Sequence, residues 1–424
     1  MSVDRREENL PEIITPKDAK NLVKRAVGTD AEMVEYTVRP YSEEKIGFLG
    51  SHKRLVVTIK RKSDSDVDSL LSTVDFFVKA LPYEVPTQAE YIREKGVFRQ
   101  EAIFFGEVVP ELDLGFHGEP WSPQCYLIKS DCLVFEELGD SGFSMTSKLL
   151  NENEIRAGLG AIARLHAASL HAETRLGRPL NEIYPMAFQE MAFVRAGNQY
   201  RWFHAGVDLA VRVAEKLGLD ASRIPEACEK VFDAMKPSRG KRNVASHGDL
   251  WSNNLMFDKY RPNRCRLVDF QLARYSPLGH DIAQFLYLCS SRKFRESHGA
   301  AMLRHYYECL RDCLENKVKI TVKIPAWREV ERAYEEQKLA AVVTAVIYFP
   351  TVLLDGRLAA KIMNDPEGYE KFVMRDRRDP VLGNMERDPQ YRSRINEAVA
   401  ELVEMKGAHS NLICGSVCAE TESI

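Results

Sequence analysis

Two short motifs in the middle of the chain constrain its fold more than any other feature. The first runs Ser246-His-Gly-Asp-Leu-Trp-Ser-Asn-Asn254, and the second runs Leu267-Val-Asp-Phe-Gln271. In kinase-type sites one Asp orients the hydroxyl that accepts phosphate, an Asn five residues later binds Mg²⁺, and a second Asp after the next strand holds metal against the phosphates. The spacing of Asp249, Asn254 and Asp269 matches this pattern. The motifs therefore predict phosphoryl transfer with ATP and Mg²⁺ as cofactors.

The sequence between the two motifs predicts a β-hairpin. Two short apolar runs, Leu255–Phe257 and Cys265–Asp269, flank the polar segment 258–263. Such a hairpin would direct Asn254 and Asp269 into one cleft, and Mg²⁺ prefers hard oxygen ligands of this kind. Taken alone, His-Gly-Asp would equally fit a loop whose aspartate caps backbone amides. The joint spacing and the strand context favour the phosphoryl-transfer interpretation.

Residues before the motifs predict a small lobe, rich in strands, that would bind the nucleotide. Three strand-like runs follow one another, namely Met33–Arg39, Leu55–Lys60 and Val74–Lys79. Lys79 ends the third run, where a kinase lysine contacts the α- and β-phosphates. Glu101 lies on the next predicted helix, Phe98–Phe105, and would hold Lys79 through an ion pair. Either residue alone would also fit an ordinary exposed side chain.

A short loop between the first two strands is a candidate for contacts with phosphate. Gly47 and Gly50 predict a turn there. The turn would direct the backbone amides of Gly50 and Ser51 toward the phosphates. A plain hairpin loop fits this segment nearly as well.

A further strand predicts the hinge between two lobes. The apolar run Cys132–Glu136 continues into Glu-Leu-Gly139. The adenine of the nucleotide would then bind backbone groups near Glu136 and Leu138.

Six segments together carry a resemblance to a known family. They are Phe77–Pro82, Val134–Leu138, Arg164–Ser169, His247–Asn254, Val268–Gln271 and Asp281–Ala283. With them the chain, over about residues 30–360, resembles the ecdysteroid-kinase-like (CHK kinase-like) family of arthropods, which is related to choline kinases and aminoglycoside phosphotransferases. The resemblance implies a protein-kinase-like α+β fold, with a small antiparallel β-sheet N-lobe and a larger, mainly α-helical C-lobe.

The resemblance also implies an activity and a role for each matching residue. The expected reaction is ATP-dependent phosphorylation of a small-molecule hydroxyl, with ecdysteroids or hydroxylated xenobiotics as typical acceptors. The implied roles are Asp249 as base, Asn254 and Asp269 as metal ligands, Lys79 as phosphate lysine, and His247 and Asp281 as structural support. Without the family, Asp281 would fit a helix N-cap equally well.

Length and charge agree with a two-lobe enzyme. The 424 residues exceed the roughly 250–300 at which chains divide into domains. We predict an N-terminal lobe over 1–138, a catalytic lobe over 139–406 and a flexible tail over 407–424. With 59 Lys and Arg against 62 Asp and Glu, the net charge is −3. No basic stripe is present, so we expect no nucleic-acid partner.

The sequence predicts a cytoplasmic protein that does not insert into a membrane. Its first residues lack the apolar stretch of a secretory signal. The apolar run 339–354 is shorter than the roughly 20 residues of a spanning helix, so a buried core helix is expected. Nine cysteines without a Cys-x-x-Cys pair fit a reducing compartment. The oligomeric state stays open.

Helical periodicity predicts a mainly α-helical large lobe. Thr15 and Pro16 open an N-terminal helix that Gly28 closes. Further helices are predicted over 184–217, 222–236, 280–291, 297–316, 327–354 and 393–406. Aromatic residues on these helices are candidates for a pocket that binds an apolar acceptor, namely Tyr287, Trp327, Tyr334, Tyr348 and Phe349. Aromatic residues at helical spacing lie more often in the core than in a pocket, so the core interpretation stays open for each of them.

Three other functions remain as alternatives. A choline or ethanolamine kinase would need an aromatic and acidic cage for its cation. A nucleotide-binding pseudoenzyme would keep the fold as an interaction module, although Lys79, Asp249, Asn254 and Asp269 are all present. A protein kinase is disfavoured because Asp281 follows Gln271 by only ten positions, which leaves no room for an activation loop.

Overall fold

The computed structural model describes residues 12–42, 50–61, 71–84, 86–354, 356–363 and 365–417. The strands are β1 (Ala31–Pro40), β2 (Ser51–Arg61), β3 (Leu71–Ala80), β4 (Cys125–Ile128), β5 (Cys132–Glu136), β6 (Phe143–Ser144), β7 (Asn243–Ser246), β8 (Leu255–Asp258), β9 (Cys265–Leu267) and β10 (Arg274–Pro277). The α-helices are α1 (Pro16–Ala26), α2 (Pro86–Lys95), α3 (Val97–Ile103), α4 (Val109–Asp113), α5 (Glu152–Leu176), α6 (Leu180–Ile183), α7 (Gly197–Lys216), α8 (Ile224–Glu229), α9 (Val231–Ala234), α10 (His280–Cys289), α11 (Arg292–Asn316), α12 (Trp327–Val352), α13 (Gly356–Met363), α14 (Pro366–Glu370), α15 (Arg378–Arg387) and α16 (Pro389–Val417). Turns of π-helix cover Phe104–Val108 and Lys371–Arg375, and 3₁₀ turns cover Pro185–Ala187 and Ser252–Asn254.

The small lobe is built on one antiparallel sheet with the strand order β1-β2-β3-β5-β4. Successive side chains of a strand point to opposite faces of the sheet. On β2, Leu55, Val57 and Ile59 are fully buried on the outer face. On β3, Phe77 and Lys79 therefore lie on the inner face, toward the large lobe.

Helix α1 covers the outer face of this sheet. Thr15 caps its first turn, because the Thr15 hydroxyl accepts a hydrogen bond from the Asp18 amide and the Asp18 carboxylate accepts one from the Thr15 amide. Leu22 and Val23 pack against the buried side chains of β2 and β3. The predicted start of the helix at Thr15-Pro16 is confirmed, and the helix packs on the small lobe as expected.

The two motifs singled out in the sequence lie in two small sheets of the large lobe. β8 pairs with β9 in an antiparallel register that places Leu255 opposite Leu267, so the predicted hairpin is present. β7 pairs with β10, and Ser246 lies opposite Arg274. Asp269 follows the end of the hairpin directly. The two sheets therefore bring both motifs to the same edge of the lobe.

Long helices form the body of the large lobe. α5 packs against α11, and α10 packs against α12. α10 is buried along its whole length. The apolar run that begins at residue 339 lies inside this body, where Ala340–Pro350 of α12 are buried. The protein thus has the predicted two-lobe α+β fold, while the exact division at residues 138 and 406 stays a prediction.

Three predicted helices differ from the observed ones. The predicted helix 184–217 begins only at Gly197, because Pro185 interrupts the pattern and the Glu190 carboxylate binds the amides of Ala192 and Phe193. The predicted helix 222–236 is divided into α8 and α9. The predicted last helix, 393–406, begins earlier and extends to Val417. Periodicity does not show the interruption before Gly197, because a proline and a local side-chain bond cause it.

The described residues contain no single helix that is long and apolar enough to cross a membrane. Helix Trp327–Val352 together with Gly356–Ile362 reaches the necessary length and composition, but the pair is bent by 85°.

Gly279 permits the close contact between α10 and α12, and its replacement is our first prediction. A Cβ atom at Gly279 would lie 2.1 Å from the backbone oxygen of Ala333. We expect Gly279→Ala to lower the free energy of unfolding by about 1–3 kcal/mol or more. Gly299→Ala on α11 is the control, because a Cβ atom there meets nothing within 4 Å, and it should stabilise the protein slightly. Thermal unfolding measures both, and equal stability of the two variants would contradict the prediction.

Candidate active site

Three charged side chains meet at the inner face of the small-lobe sheet. Lys79 Nζ lies 2.6 Å from Glu101 Oε2 and 2.6 Å from Asp269 Oδ1. Lys79 and Glu101 are buried, with exposures of 4% and 1%. Burial alone would lower the pKa of Lys79, but the charges of Asp269 and Glu101 raise it. The structure therefore brings together three residues that the sequence separates by up to 190 positions.

The catalytic loop, defined as residues 246–254, rests on the side chain of Asp281. This buried carboxylate accepts hydrogen bonds from the amides of His247 at 2.7 Å and Gly248 at 3.1 Å. Gly248 has φ +78°, and a Cβ atom there would lie 2.3 Å from a backbone oxygen of Leu272. Only glycine fits that conformation at so close an approach. Asp281 thus contacts the loop as the resemblance implied. It is not the N-cap of α10, because Gly279 occupies that position.

A buried polar chain holds Asp281 in turn. His166 Nε2 lies 3.3 Å from Asp281 Oδ2, and His166 Nδ1 lies 2.7 Å from the Tyr306 hydroxyl. Burial alone would raise the pKa of Asp281, but the hydrogen bond and charge of His166 lower it to about 2. Asp281 is therefore an ionised acceptor for the loop amides. Gln284, one turn later on α10, also accepts a bond from the Leu250 amide at 2.9 Å.

His247 connects the catalytic loop to the second motif. Its Nε2 bonds the Val268 carbonyl at 2.9 Å, and its Nδ1 faces the Asp249 amide at 3.2 Å. A carbonyl needs a donor and an amide needs an acceptor, so the ring is a neutral tautomer with hydrogen on Nε2. Burial lowers the pKa of His247, which favours this neutral form. The ring also contacts Phe270, with centroids 4.4 Å apart. The geometry fits the predicted supporting role.

Asp249 and Asn254 contact each other directly. Asn254 Nδ2 donates to Asp249 Oδ2 at 3.0 Å and to the Asp249 carbonyl at 2.8 Å. Burial and the nearby charge of Asp269 raise the pKa of Asp249 to about 7, against the opposing effect of Arg274. A carboxylate that titrates near neutral pH suits proton acceptance from a hydroxyl. The arrangement can therefore supply the predicted base.

Asn254 and Asp269 fit a Mg²⁺ ion that also binds phosphates. The Val268 amide donates to the Asn254 carbonyl at 3.0 Å, which aligns the two residues on adjacent chain segments. Asn254 Oδ1 makes no hydrogen bond within the described ranges, and the Asp269 side chain is 32% exposed. No group of three or more His, Cys, Asp or Glu that could hold a metal occurs among the described residues. Mg²⁺ in nucleotide sites needs only one or two protein oxygens, because phosphates and water supply the rest.

Asp269 has an unusual backbone conformation. Its φ is +68°, and it is the one non-glycine residue with positive φ in the described part of the chain. Such a conformation costs of the order of 1–3 kcal/mol and persists only where surrounding contacts impose it. The bond from the Phe270 amide to Glu101 Oε1, at 3.0 Å, is one such contact.

Gly50 lies beside Lys79. Its φ is +140°, and a Cβ atom there would approach the Lys79 side chain to 3.8 Å. Ser51 pairs with Ala80 at the end of β3. Both residues thus lie next to Lys79, as the predicted phosphate loop requires. Gly47 lies outside the described residues.

The two hinge residues, Glu136 and Leu138, differ in which of their backbone groups can bind a nucleotide. The Glu136 amide donates to the Gln124 carbonyl at 2.9 Å. The Leu138 carbonyl accepts bonds from the amides of Ser141 at 3.1 Å and Phe143 at 3.0 Å. The Leu138 amide has no partner in the described residues, so it is the group at this position that fits an adenine nitrogen.

Sequence analysis missed the supporting residues and one aromatic ring. Tyr306 and Gln284 come from distant helices, and no motif marked them. His166 appeared only within the segment Arg164–Ser169, without a role of its own. Phe77, two positions before Lys79, contacts the ring of Tyr41 at 5.1 Å between centroids. Its position on the same strand face as Lys79 was the signal that could have identified it.

Comparison with known families agrees with this geometry. A model described as the ecdysteroid kinase-like family matches residues 48–318, which is more than half of the chain. The chain belongs to the ecdysteroid kinase-like family. The match includes Lys79, Glu101, the catalytic loop and Asp269. No curated protein matches the chain.

Several solved structures align with most of this chain at low identity. An ethanolamine kinase of Plasmodium vivax aligns over 89% of this chain and 89% of its own, with 11% identity and a TM-score of 0.39. A Ralstonia eutropha protein described as an aminoglycoside phosphotransferase aligns over 92% and 98%, with 12% identity and a TM-score of 0.37. The aminoglycoside phosphotransferase APH(3'')-Id of Streptomyces rimosus aligns over 77% and 99%, with 12% identity and a TM-score of 0.31. Similarity at this level does not assign an activity.

The raised pKa of Asp249 generates the second prediction. A base works only when ionised, so activity should be present above the pKa and lost as the pH falls through about 7. The acid limb of kcat/KM, which reports the free enzyme, measures this value. Asp249→Asn should remove this limb and lower kcat by about 10²- to 10⁴-fold, with nucleotide binding retained. A near wild-type kcat in that variant would exclude Asp249 as the base.

Proposed function

We propose that the protein catalyses ATP- and Mg²⁺-dependent transfer of phosphate to a hydroxyl of a hydrophobic small molecule, such as an ecdysteroid or a hydroxylated xenobiotic. Membership of a family of small-molecule kinases supports phosphoryl transfer as the coarser activity. The observation that carries the finer proposal is the convergence of Lys79, Glu101 and Asp269 beside the supported loop that holds Asp249. The predicted cytoplasmic location stays a prediction.

In this proposal each residue has one task. Lys79, held by Glu101, binds nucleotide phosphates. Asn254 and Asp269 hold Mg²⁺, which would neutralise phosphate charge. Asp249 would orient the acceptor hydroxyl and take its proton as the oxygen attacks the γ-phosphorus of ATP, whose bond to the bridging oxygen breaks so that ADP leaves. Asp281 keeps the loop amides in place, so that Asp249 does not move when its charge changes.

The nucleotide base would lie between the hinge and the inner face of β3. The Leu138 amide offers a donor to an adenine ring nitrogen. Phe77 offers an aromatic face, and Tyr41 and His52 border it, with ring centroids 5.1 Å and 5.3 Å from that of Phe77. A planar base stacks favourably on such a face. This set supports ATP as the donor.

The acceptor would lie between the catalytic loop and α12. Of the five candidate aromatics, Tyr348 is close enough to Asp249 for that carboxylate to affect it: burial, and then the charge of Asp249, raise the pKa of its phenol. Its ring contacts Trp202 of α7, with centroids 5.8 Å apart. Trp327, in contrast, lies under the guanidinium group of Arg304. We therefore propose Tyr348 and Trp202 as acceptor contacts.

Charge near Tyr348 favours an uncharged acceptor. Glu190 is the acidic neighbour besides Asp249 that affects the phenol, and its Oε2 lies 3.5 Å from Arg274 Nε. An acid that faces a buried Arg does not offer a free negative charge to a cation. A site for a choline-type substrate would need such a negative charge beside the aromatic rings that surround the cation. Choline or ethanolamine kinase activity is therefore the second candidate, and a pseudoenzyme is the third.

The third prediction separates the metal ligand from the phosphate lysine. Asp269→Ala should abolish the Mg²⁺ dependence of ATP binding, because its oxygens hold the cation. Lys79→Ala should keep that dependence but weaken binding and slow transfer. Calorimetric titration with and without Mg²⁺ measures both, and Asp233→Ala, an exposed carboxylate of α9, is the control. Equal ATP affinity of the wild-type protein with and without Mg²⁺ would contradict the assignment.

The fourth prediction concerns the acceptor. Mass spectrometry of reactions with mixed sterols and phenols should find phosphate monoesters of several apolar compounds, because apolar pockets discriminate one methylene by only about 1–3 kcal/mol. Tyr348→Ala should raise the acceptor KM roughly tenfold and leave the ATP KM unchanged. Trp327→Ala, on the same helix, is the control.

Other products would change the assignment. Phosphorylation confined to choline, ethanolamine or aminoglycosides would overturn the apolar acceptor. Phosphorylation of protein alone would favour a protein kinase. ATP binding without any turnover would favour the pseudoenzyme.

A further inference from the structure

Helix α3, which carries Glu101, begins after Gly96 without a side-chain cap. It continues through the π-turn Phe104–Val108 into α4, so the helical segment runs from Val97 to Asp113. In proteins most of the stability of such a helix comes from tertiary packing. Tertiary contacts must therefore fix the direction of α3. The direction of α3 matters because it brings the Glu101 carboxylate to Lys79.

The side chain of Gln100, next to Glu101, makes such contacts. Its Nε2 lies 2.6 Å from the Ala273 carbonyl, 3.0 Å from the Gln189 carbonyl and 3.4 Å from the Ala187 carbonyl. Carbonyl oxygens only accept hydrogen bonds, so the NH₂ of the amide must face them. Gln100 Oε1 is buried without a hydrogen-bond partner in the described residues. Gln100 therefore acts here only as a donor.

Gln100 and Glu101 bind the same segment of the large lobe. Glu101 Oε1 accepts from the Phe270 amide at 3.0 Å, and Gln100 donates to the Ala273 carbonyl three residues later. This segment directly follows Asp269. The other two carbonyls belong to residues 187–189, a separate part of the large lobe. If α3 turned away, buried carbonyls would lose their donor, which costs free energy.

We propose that Gln100 is a positioning residue, which fixes α3 so that Glu101 keeps Lys79 aligned before the nucleotide binds. This inference rests on the proposed function, because alignment of Lys79 serves phosphoryl transfer. A small-lobe helix that is bound to two segments of the large lobe is already in its working position without a ligand. Gln100 thereby places Lys79, Glu101 and Asp269 as one unit.

Hydrogen–deuterium exchange tests the positioning without any nucleotide. Gln100→Met keeps the length of the side chain and removes its donor. Amides of residues 97–103 and 270–273 should then exchange at least tenfold faster than in the wild-type protein. The control is Gln337→Met on α12, because Gln337 is equally buried and donates to the Ala234 carbonyl at 3.3 Å. Unchanged exchange in α3 of the Gln100 variant would overturn the proposal.

Nucleotide affinity tests whether Gln100 acts through Glu101. Gln100→Met should weaken Mg-ATP binding roughly tenfold and lower kcat, because removal of a buried donor has an effect of this size. In a Glu101→Gln background, the same change should weaken binding less than about twofold further. Gln337→Met should alter neither value. Independent, additive effects of the two substitutions would show that Gln100 does not work through Glu101.

The two measurements separate this inference from the proposed function. If the wild-type protein fails to bind ATP while Gln100→Met accelerates exchange in α3, the proposed function falls and the fixing of α3 by Gln100 stands. If ATP binds and exchange in α3 does not change, the role of Gln100 falls and the proposed function stands.

Discussion

The ion cluster of Lys79, Glu101 and Asp269 is the interaction on which the site depends. Its members come from β3, from α3 and from the segment after β9, so the cluster joins the two lobes. Removing one partner of a buried ion pair typically costs about 3–5 kcal/mol, since the other charge loses its compensation. Burial alone would lower the pKa of this lysine, and the charges of Asp269 and Glu101 raise it. The observed arrangement of the two lobes therefore keeps Lys79 charged although it is buried.

The charge balance of this cluster explains why the site suits a cation. Glu101, Asp249 and Asp269 are three acidic groups, and the basic groups near them are Lys79 and Arg274. Burial, and then the like charge of Asp269, raise the pKa of Asp249. A divalent ion against Asp269 would relieve that repulsion. The proposed Mg²⁺ site and the raised pKa of Asp249 thus both involve the charge of Asp269.

The sequence predicted the parts of the site whose geometry is local. Asp249 and Asn254 are five residues apart in one loop, and their contact follows from that spacing. The residues that support them could not be predicted in the same way. Tyr306 is 140 positions from His166, and Gln100 is 173 positions from Ala273. Such pairs depend on how helices pack, which periodicity does not determine. Helical spacing likewise could not show which of five aromatics faces Asp249.

Aromatic packing couples the position of Asp269 to the position of α3. Phe104 and Phe105 are consecutive, yet both are buried. Both lie in the π-turn Phe104–Val108 that follows α3. Phe104 stacks on Phe270 with centroids 5.0 Å apart, and Phe105 contacts Phe270 from another side at 5.6 Å.

Phe270 is the residue after Asp269, and its amide donates to Glu101. One residue thus joins α3 through its ring and through its backbone. Because packed rings resist small displacements, Asp269 cannot turn without moving α3. The positive φ of Asp269 is then a strain that this packing maintains. Asp269, Glu101 and α3 are consequently held together as one packed unit.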